Sequence, residues 1–421
     1  MNTASQPRQA QCAKDTTPGI IFAGGGTGGH IFPAIAVLQQ IEKLCHAQNL
    51  PFDPAQQCRF LCSTRSIDAR ILSAQSVPFH AIPAAPLGSS PAKLIGFVRS
   101  WGNAVRQSRA HIRKLARTCN PLLVLTTGGF VAAPIVQAAR AEHVPIIMLN
   151  QDTPPGKANR WIARHAQRVF TTTPTNTTTP TTPTTPTHGD HVNHAAPRKA
   201  VWEPIAPVVR QEALAPADKK TCKERLGLAG DRPVLFITGA SQGAQSINEF
   251  VTLFIQKHAR ELAHAGWQVV HQTGQANNDA LRQVYADASI PARVEDFFES
   301  MGLAWGSADI ALSRAGAGSV AEAWANGVPT LFMPYPHHRD HHQRFNAHRL
   351  EKAGGAIIET DHIHPETNIH RVGGRLRELM QDTARQTLMQ HALTTLGPVD
   401  GASCIAHAIV THLVEVTHNT L

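Results

Sequence analysis

Ser313–Pro334 reads SRAGAGSVAEAWANGVPTLFMP, and the rest of the chain is organised around the same device. The apolar run Ile310-Ala311-Leu312 before it reads as a buried strand ending at Ser313-Arg314. Gly316 and Gly318 let the backbone turn sharply and approach a ligand without a side chain in the way. Ser319–Ala325 is helix-forming, Gly327 suits its C-terminal cap, and Val328–Met333 reads as the next strand. A strand, a glycine turn and a helix together present free N–H groups and the positive end of a helix dipole, which suits a phosphate. Glu322, one turn into the helix, is placed to accept hydrogen bonds from the hydroxyls of a ribose. An ordinary βαβ crossover would carry the same signature, so this stretch does not decide the function alone.

The device recurs. Gly19–Ala23 is a short buried strand followed by Gly24-Gly25-Gly26-Thr27-Gly28-Gly29-His30, and Ile31–Leu44 has helical spacing. This is no dinucleotide fingerprint, because the glycines are too continuous and no acidic residue stands out on a second strand. His30 sits where the helix begins, so the dipole favours its neutral form there. Arg59–Ser63, Val77–Ile82, Leu122–Leu125 and Pro145–Leu149 read as further strands, with another glycine turn at Thr127–Phe130. The second half restarts the pattern with strand Pro233–Thr238, turn Gly239–Ala244 and helix Ser246–His258. Strands over Gln268–Thr273 and Val294–Met301 follow. Alternation in both halves predicts an α/β protein of two doubly wound, Rossmann-like domains facing a cleft.

Composition narrows the classes. The 421 residues allow two domains of ordinary size, and a formal charge of +9 suits anionic partners such as nucleotide phosphates or an anionic membrane. Aromatic residues are only 5% and are not interleaved with a basic block, which argues against a nucleic-acid platform. The seven cysteines form neither a disulfide framework nor a paired zinc motif, so a reducing compartment is expected. No apolar run approaches the roughly 18 residues a membrane span needs. Residues 1–18 are polar and read as disordered, and 171–187 is a Thr/Pro tract to which no chemistry is assigned. The expected domains are 19–205 and 206–395, with a helix in 396–421 packing back on the first.

One segment has two readings. Lys93–Arg109 is amphipathic, with Leu94, Ile95, Phe97, Val98 and Trp101 beside Lys93, Arg99, Arg106 and Arg109. It either packs on the N-terminal sheet or meets an anionic bilayer through Leu94, Phe97, Val98 and Trp101.

Four glycine-turn motifs in order, Gly25–His30, Thr127–Phe130, Gly239–Ala244 and Arg314–Pro329, resemble the MurG family of GT-B-fold N-acetylglucosaminyltransferases. Lys157–Trp161 and Pro334–Ala347 (PYPHHRDHHQRFNA) fit as well. The resemblance implies an inverting transfer of N-acetylglucosamine from UDP-N-acetylglucosamine to the 4-hydroxyl of N-acetylmuramic acid in lipid I, forming lipid II. It implies no cofactor, no nucleic acid, and a peripheral place on the cytoplasmic face of the inner membrane. By resemblance Glu322 binds the ribose, and Ala317, Gly318 and Ser319 contact the uracil side and the diphosphate. Ser241 and Gln242 lie over the phosphates, His342 and Gln343 face the sugar, and Phe298 stands beside uracil. Thr27, Gly28 and Gly29 line the donor side of the cleft. The chain departs from the family at Asn150-Gln151-Asp152, where Glu-Gln-Asn is usual, and at Ala206–Arg210, where one extra residue precedes Arg210 as a phosphate contact.

The transfer needs a base for the acceptor hydroxyl and help for the departing diphosphate. His30 is the first candidate base and Asp152 the second. Helix N-termini near Ser241–Ala244 and Gly316–Ser319, with Arg210, are suited to the developing charge. No Asp-x-Asp motif is present, and no metal is expected, although His337, His338, His341 and His342 are grouped. Rival readings are another GT-B transferase, a UDP-sugar epimerase, or a catalytically dead nucleotide-sugar-binding partner of a cell-wall complex.

Overall fold

β1 (Gly19–Gly24) is six consecutive buried residues, as expected of a strand covered on both faces. It is an interior strand of a parallel sheet with β2 (Cys58–Ser63), β3 (Phe79–Ile82), β4 (Leu122–Gly128), β5 (Ile146–Asn150), β6 (Arg168–Thr171) and β7 (Trp202–Pro204), in the order 3-2-1-4-5-6-7. The second parallel sheet holds β8 (Val234–Thr238), β9 (Gln268–Gln272), β10 (Ala292–Glu295), β11 (Ile310–Ser313), β12 (Thr330–Phe332) and β13 (Ala356–Ile358), in the order 10-9-8-11-12-13. The computed structural model describes residues 17–75, 77–86, 91–172, 202–239, 243–274, 278–336 and 342–420. Within them the architecture is the two doubly wound domains expected.

Alternation along each central strand feeds two cores. Ile20 and Phe22 face helix α1 (Gly28–Ala47) and the C-terminal helix Gly401–Thr420, which contributes Ile405, Ile409 and Leu413. Ile21 and Ala23 face the opposite layer, with Ala104, Ile112 and Leu115 of helix Pro91–Ala116 and Ile135 of helix Ala132–Ala141. In the second domain Leu235 and Ile237 go to one face, and Val234 and Phe236 to the other. At the junction Val208 is buried in the first domain's core, while Val209 packs against the second's. The chain crosses between domains there, pinned on both sides.

Two expectations are corrected. The strand over Val294–Met301 stops at Glu295, and Met301 opens a helix running to Ser307. The Thr/Pro tract begins inside β6, because Thr171 is buried and paired with Pro204. The rest of that tract, and most of residues 1–18, fall outside the described residues.

A buried polar cluster sets an acid limit on the second domain. His271 is fully buried, with Nδ1 2.9 Å from the Tyr285 hydroxyl and Nε2 3.1 Å from Asn248 Oδ1. Burial disfavours the imidazolium and pushes its pKa down to about 3. From pH 6.5 down to about 3 the unfolded chain therefore takes a proton that the native site refuses, and stability falls with pH. This group contributes at most about 1.4 kcal/mol of that loss per pH unit. Thermal midpoints measured across that range should fall less steeply for His271→Gln than for the native chain. An unchanged slope would place the acid limit elsewhere.

Candidate active site

In an open parallel sheet the connections diverge to opposite faces at the switch point, leaving a crevice at the strand C-termini. Here the switch points lie between β1 and β4 and between β8 and β11. The turns after these four strands face each other across a cavity of about 650 Å³ lined by both domains.

The first domain's wall is built on tightly held glycines. Gly26 donates its N–H to both oxygens of the buried Asp68, at 3.1 and 2.8 Å. Asp68 also accepts from the Ser63 N–H and hydroxyl, so the turn after β1 is tied to the end of β2. Gly129 has φ +86°, and a Cβ there would stand 2.6 Å from the Gly25 carbonyl and 3.0 Å from His30 Cδ2. Only glycine leaves room for the imidazole. His30, in the first turn of α1, places Nδ1 3.0 Å from the Thr127 carbonyl oxygen. A carbonyl only accepts, so Nδ1 carries a proton, and in the neutral imidazole the lone pair is then on Nε2. Thr27, Gly28, Gly29 and His30 all line the cavity.

Asp152 lines it too, from the loop after β5. Its backbone carbonyl accepts from Asn150 Nδ2 at 2.9 Å, and Asn150 Oδ1 accepts from Asn159 at 3.0 Å. The next residue, Thr153, donates its N–H to Asn346 Oδ1 across the domain boundary, at 3.2 Å.

The second domain's wall carries Glu322 and Arg314. Ala317, Gly318 and Ser319, the first turn of helix Ala317–Ala325, line the cavity together with Glu322. Glu322 Oε2 accepts from Trp305 Nε1 at 2.9 Å. Burial raises its carboxyl above the usual range, and the Arg210 charge and the Trp305 N–H hold that rise back in part. Arg210 leaves the junction into the cavity; it is only 7% exposed, and its Nε has no hydrogen-bond partner among the described residues. A buried guanidinium with an unmet donor is suited to an anionic ligand. Gln343 lines the cavity and accepts the Tyr335 N–H at 2.8 Å.

Several expected residues lie elsewhere. Phe298 is buried in the core cluster with Met301 and Trp305, and its N–H donates to Gln272 Oε1 at 3.2 Å. Its neighbour Phe297 lines the cavity instead. Ser241, Gln242 and the histidines 337, 338 and 341 are outside the described residues, and His342 opens the helix His342–Lys352.

Sequence reasoning missed Arg314, which follows β11 directly. It donates to the Met333 carbonyl at 2.9 Å and to Ser246 Oγ at 2.7 Å, and pairs with the buried Asp361 at 2.7 Å. Burial would raise the Asp361 carboxyl, but Ser246, Asn368 and Arg314 outweigh it and hold it low. The one sequence signal was a lone basic residue at the C-terminal end of an apolar strand.

The amphipathic helix divides between its two readings. Ala104, Ile112 and Leu115 pack on the sheet, while Leu94, Ile95 and Val98 in its first turns are 50%, 51% and 64% exposed. Trp101 is half-buried, with its ring centre 5.3 Å from Phe97 and 6.3 Å from Trp161. Phe97 and Trp101 are thus partly packed, and the fully presented apolar side chains are the other three.

Comparison with known proteins agrees with this geometry. The glycosyltransferase family 28 N-terminal domain matches residues 20–171, and the family 28 C-terminal domain matches 234–402. A UDP-N-acetylglucosamine--N-acetylmuramyl-(pentapeptide) pyrophosphoryl-undecaprenol N-acetylglucosamine transferase of Geobacter metallireducens is 30% identical over 394 residues, 93% of this chain and 98% of the relative. Among solved structures, MurG of Acinetobacter baumannii superposes with a TM-score of 0.64 at 24% identity, covering 94% of this chain and all of that one. A putative UDP-N-acetylglucosamine 2-epimerase of Listeria monocytogenes reaches 0.61 at 12% identity, covering 95% and 97%, a likeness of fold alone. With both family 28 domains present in order and a relative matched over nearly its full length, the chain belongs to the MurG family of GT-B glycosyltransferases.

Proposed function

We propose that the chain transfers N-acetylglucosamine from UDP-N-acetylglucosamine to the 4-hydroxyl of N-acetylmuramic acid in lipid I, with inversion, yielding lipid II and UDP. The observation that carries this reading is the two-sided cleft. His30 from the first domain, Arg210 from the junction and Glu322 from the second domain all line it. Nε2 takes the proton of the acceptor hydroxyl as that oxygen attacks the anomeric carbon. Arg210 and the first turn of helix Ala317–Ala325 stabilise the charge that develops on the departing diphosphate. Glu322 holds the ribose hydroxyls, and Phe297 rather than Phe298 offers the uracil an apolar face. Asp152 stays the second candidate base.

Incubation with UDP-N-acetylglucosamine and a lipid I analogue tests the reading. UDP and a disaccharide lipid should appear together, and only when the acceptor is present. An epimerase would convert the donor without acceptor, and a dead binding partner would convert nothing.

Glu322→Ala should weaken UDP-N-acetylglucosamine binding by about 1–3 kcal/mol, the cost of losing charged hydrogen bonds to a ribose. Unchanged donor affinity in a calorimetric titration would remove Glu322 from the site.

We further propose that the exposed end of the amphipathic helix meets the membrane face where the acceptor resides. No described helix is long and apolar enough to cross a membrane. Leu94, Ile95 and Val98 stand near Arg99 on this end, a pattern suited to shallow insertion among anionic head groups. Leu94→Ser with Val98→Ser should reduce sedimentation with anionic vesicles and leave the thermal midpoint unchanged. Full sedimentation of the double variant would move the membrane face elsewhere.

A further inference from the structure

The residue that presents Arg210 to the cleft belongs to the other domain. The centre of the Arg210 guanidinium lies 4.0 Å from the ring centre of Phe32, two residues beyond His30 on α1. Phe32 is half-buried: part of it packs on the first domain's core and part lines the cleft. Seven residues on, two turns along the same face of α1, Gln39 makes two further contacts with the junction. Gln39 Oε1 accepts the Gln211 N–H at 2.9 Å, and Gln39 Nε2 donates to Glu212 Oε1 at 2.7 Å. One face of α1 therefore tracks the backbone and side chains of residues 210–212.

A buried guanidinium has few ways to keep a fixed orientation when one of its own donors is unmet. The flat face of an aromatic ring supplies one, because it attracts the cation without consuming any N–H. Stacked on Phe32, the guanidinium keeps its edge free for an anion and cannot swing into the space the anion would fill. Pro33, the next residue, lies within the helix and its ring restricts the local backbone, which helps to fix where Phe32 projects.

We propose that Phe32 is a positioning residue for the donor diphosphate. It holds Arg210 in its phosphate-binding orientation from across the domain boundary, so that α1 carries both the base and the support of the leaving-group contact. This rests on the reading of Arg210 as a diphosphate contact made above. The consequence is a coupling between domains. Donor phosphate recognition depends on α1 being docked on the junction, and a displaced α1 loses the base and the phosphate clamp together.

The test compares UDP with uridine, which lacks the diphosphate, by calorimetric titration or ligand competition. The proteins are the full-length native chain and Phe32→Ala, Phe32→Leu and Phe32→Tyr variants. Phe32→Ala and Phe32→Leu should weaken UDP about tenfold, in line with a desolvated cation–π contact. Uridine affinity should stay within twofold in both. Phe32→Tyr should restore UDP binding, and Phe32→Ala added to Arg210→Ala should cost nothing more. Leucine keeps the apolar contact with the core, so loss of UDP affinity in a normally melting Phe32→Leu protein reports the ring and not the fold. Equal loss of UDP and uridine, or unchanged UDP affinity, or additive losses in the double variant, would overturn the proposal. A native protein that binds UDP no better than uridine would instead overturn the reading of Arg210 itself.

Discussion

His30→Ala should lower turnover roughly 100- to 10,000-fold while UDP-N-acetylglucosamine affinity stays nearly unchanged, the signature of a general base lost from the chemical step. The expectation follows from the hydrogen bond between Nδ1 and the Thr127 carbonyl, which fixes the tautomer and leaves Nε2 to receive a proton. His30→Gln keeps a polar side chain but no titrating nitrogen, so it should be nearly as inactive. Steady-state kinetics with a lipid I analogue, paired with donor titrations, would check both. If His30→Ala stays active and Asp152→Asn is the inactive variant, the base is Asp152. Asp152 lines the cleft from a loop whose backbone is held by the Asn150 and Asn346 contacts.

Arg210→Ala carries the second large effect. A buried guanidinium with an unmet Nε, lining the same cleft as the first turn of helix Ala317–Ala325, is expected to stabilise the diphosphate most as it leaves. Its removal should lower kcat/KM roughly 100- to 1,000-fold, by analogy with the loss of one preorganised donor to a developing anion. Arg210→Lys should restore little, because an ammonium neither stacks flat on Phe32 nor offers two parallel donors. Near-native kcat/KM in Arg210→Ala would assign the leaving-group charge to the helix N-termini alone.

The central strands were legible because a strand covered on both faces reads as an unbroken apolar run. β1, β4, β8 and β11 lie where those runs predicted. The glycine turns were legible for a related reason: a backbone that must turn with positive φ at Gly26 and Gly129 tolerates no side chain, so sequence exposes the geometry. The segment after β10 was not. Glu295-Asp296-Phe297-Phe298 gives no period, and Phe298 enters the core among residues distant in sequence, with its N–H on Gln272, 26 residues away. Arg314 was invisible as a structural clamp because its partners Ser246 and Asp361 are brought in by other crossovers. The role of Phe32 was hidden likewise, since its partner lies on the far side of a domain junction. Local pattern thus revealed the scaffold and the phosphate-type turns. Contacts that hold side chains in the cleft were set by packing between distant segments.

The anomeric configuration of the transferred sugar tests the account most directly. UDP-N-acetylglucosamine is an α-linked donor, and in the proposed reaction His30 takes the acceptor proton while Arg210 supports the departing diphosphate, both lining one cleft. A single in-line displacement across that cleft must invert the anomeric carbon. NMR of the purified disaccharide lipid should therefore show a β-linked N-acetylglucosamine. An α-linked product would mean two displacements or a front-side transfer, and would contradict a single displacement with His30 as base and Arg210 supporting the leaving group.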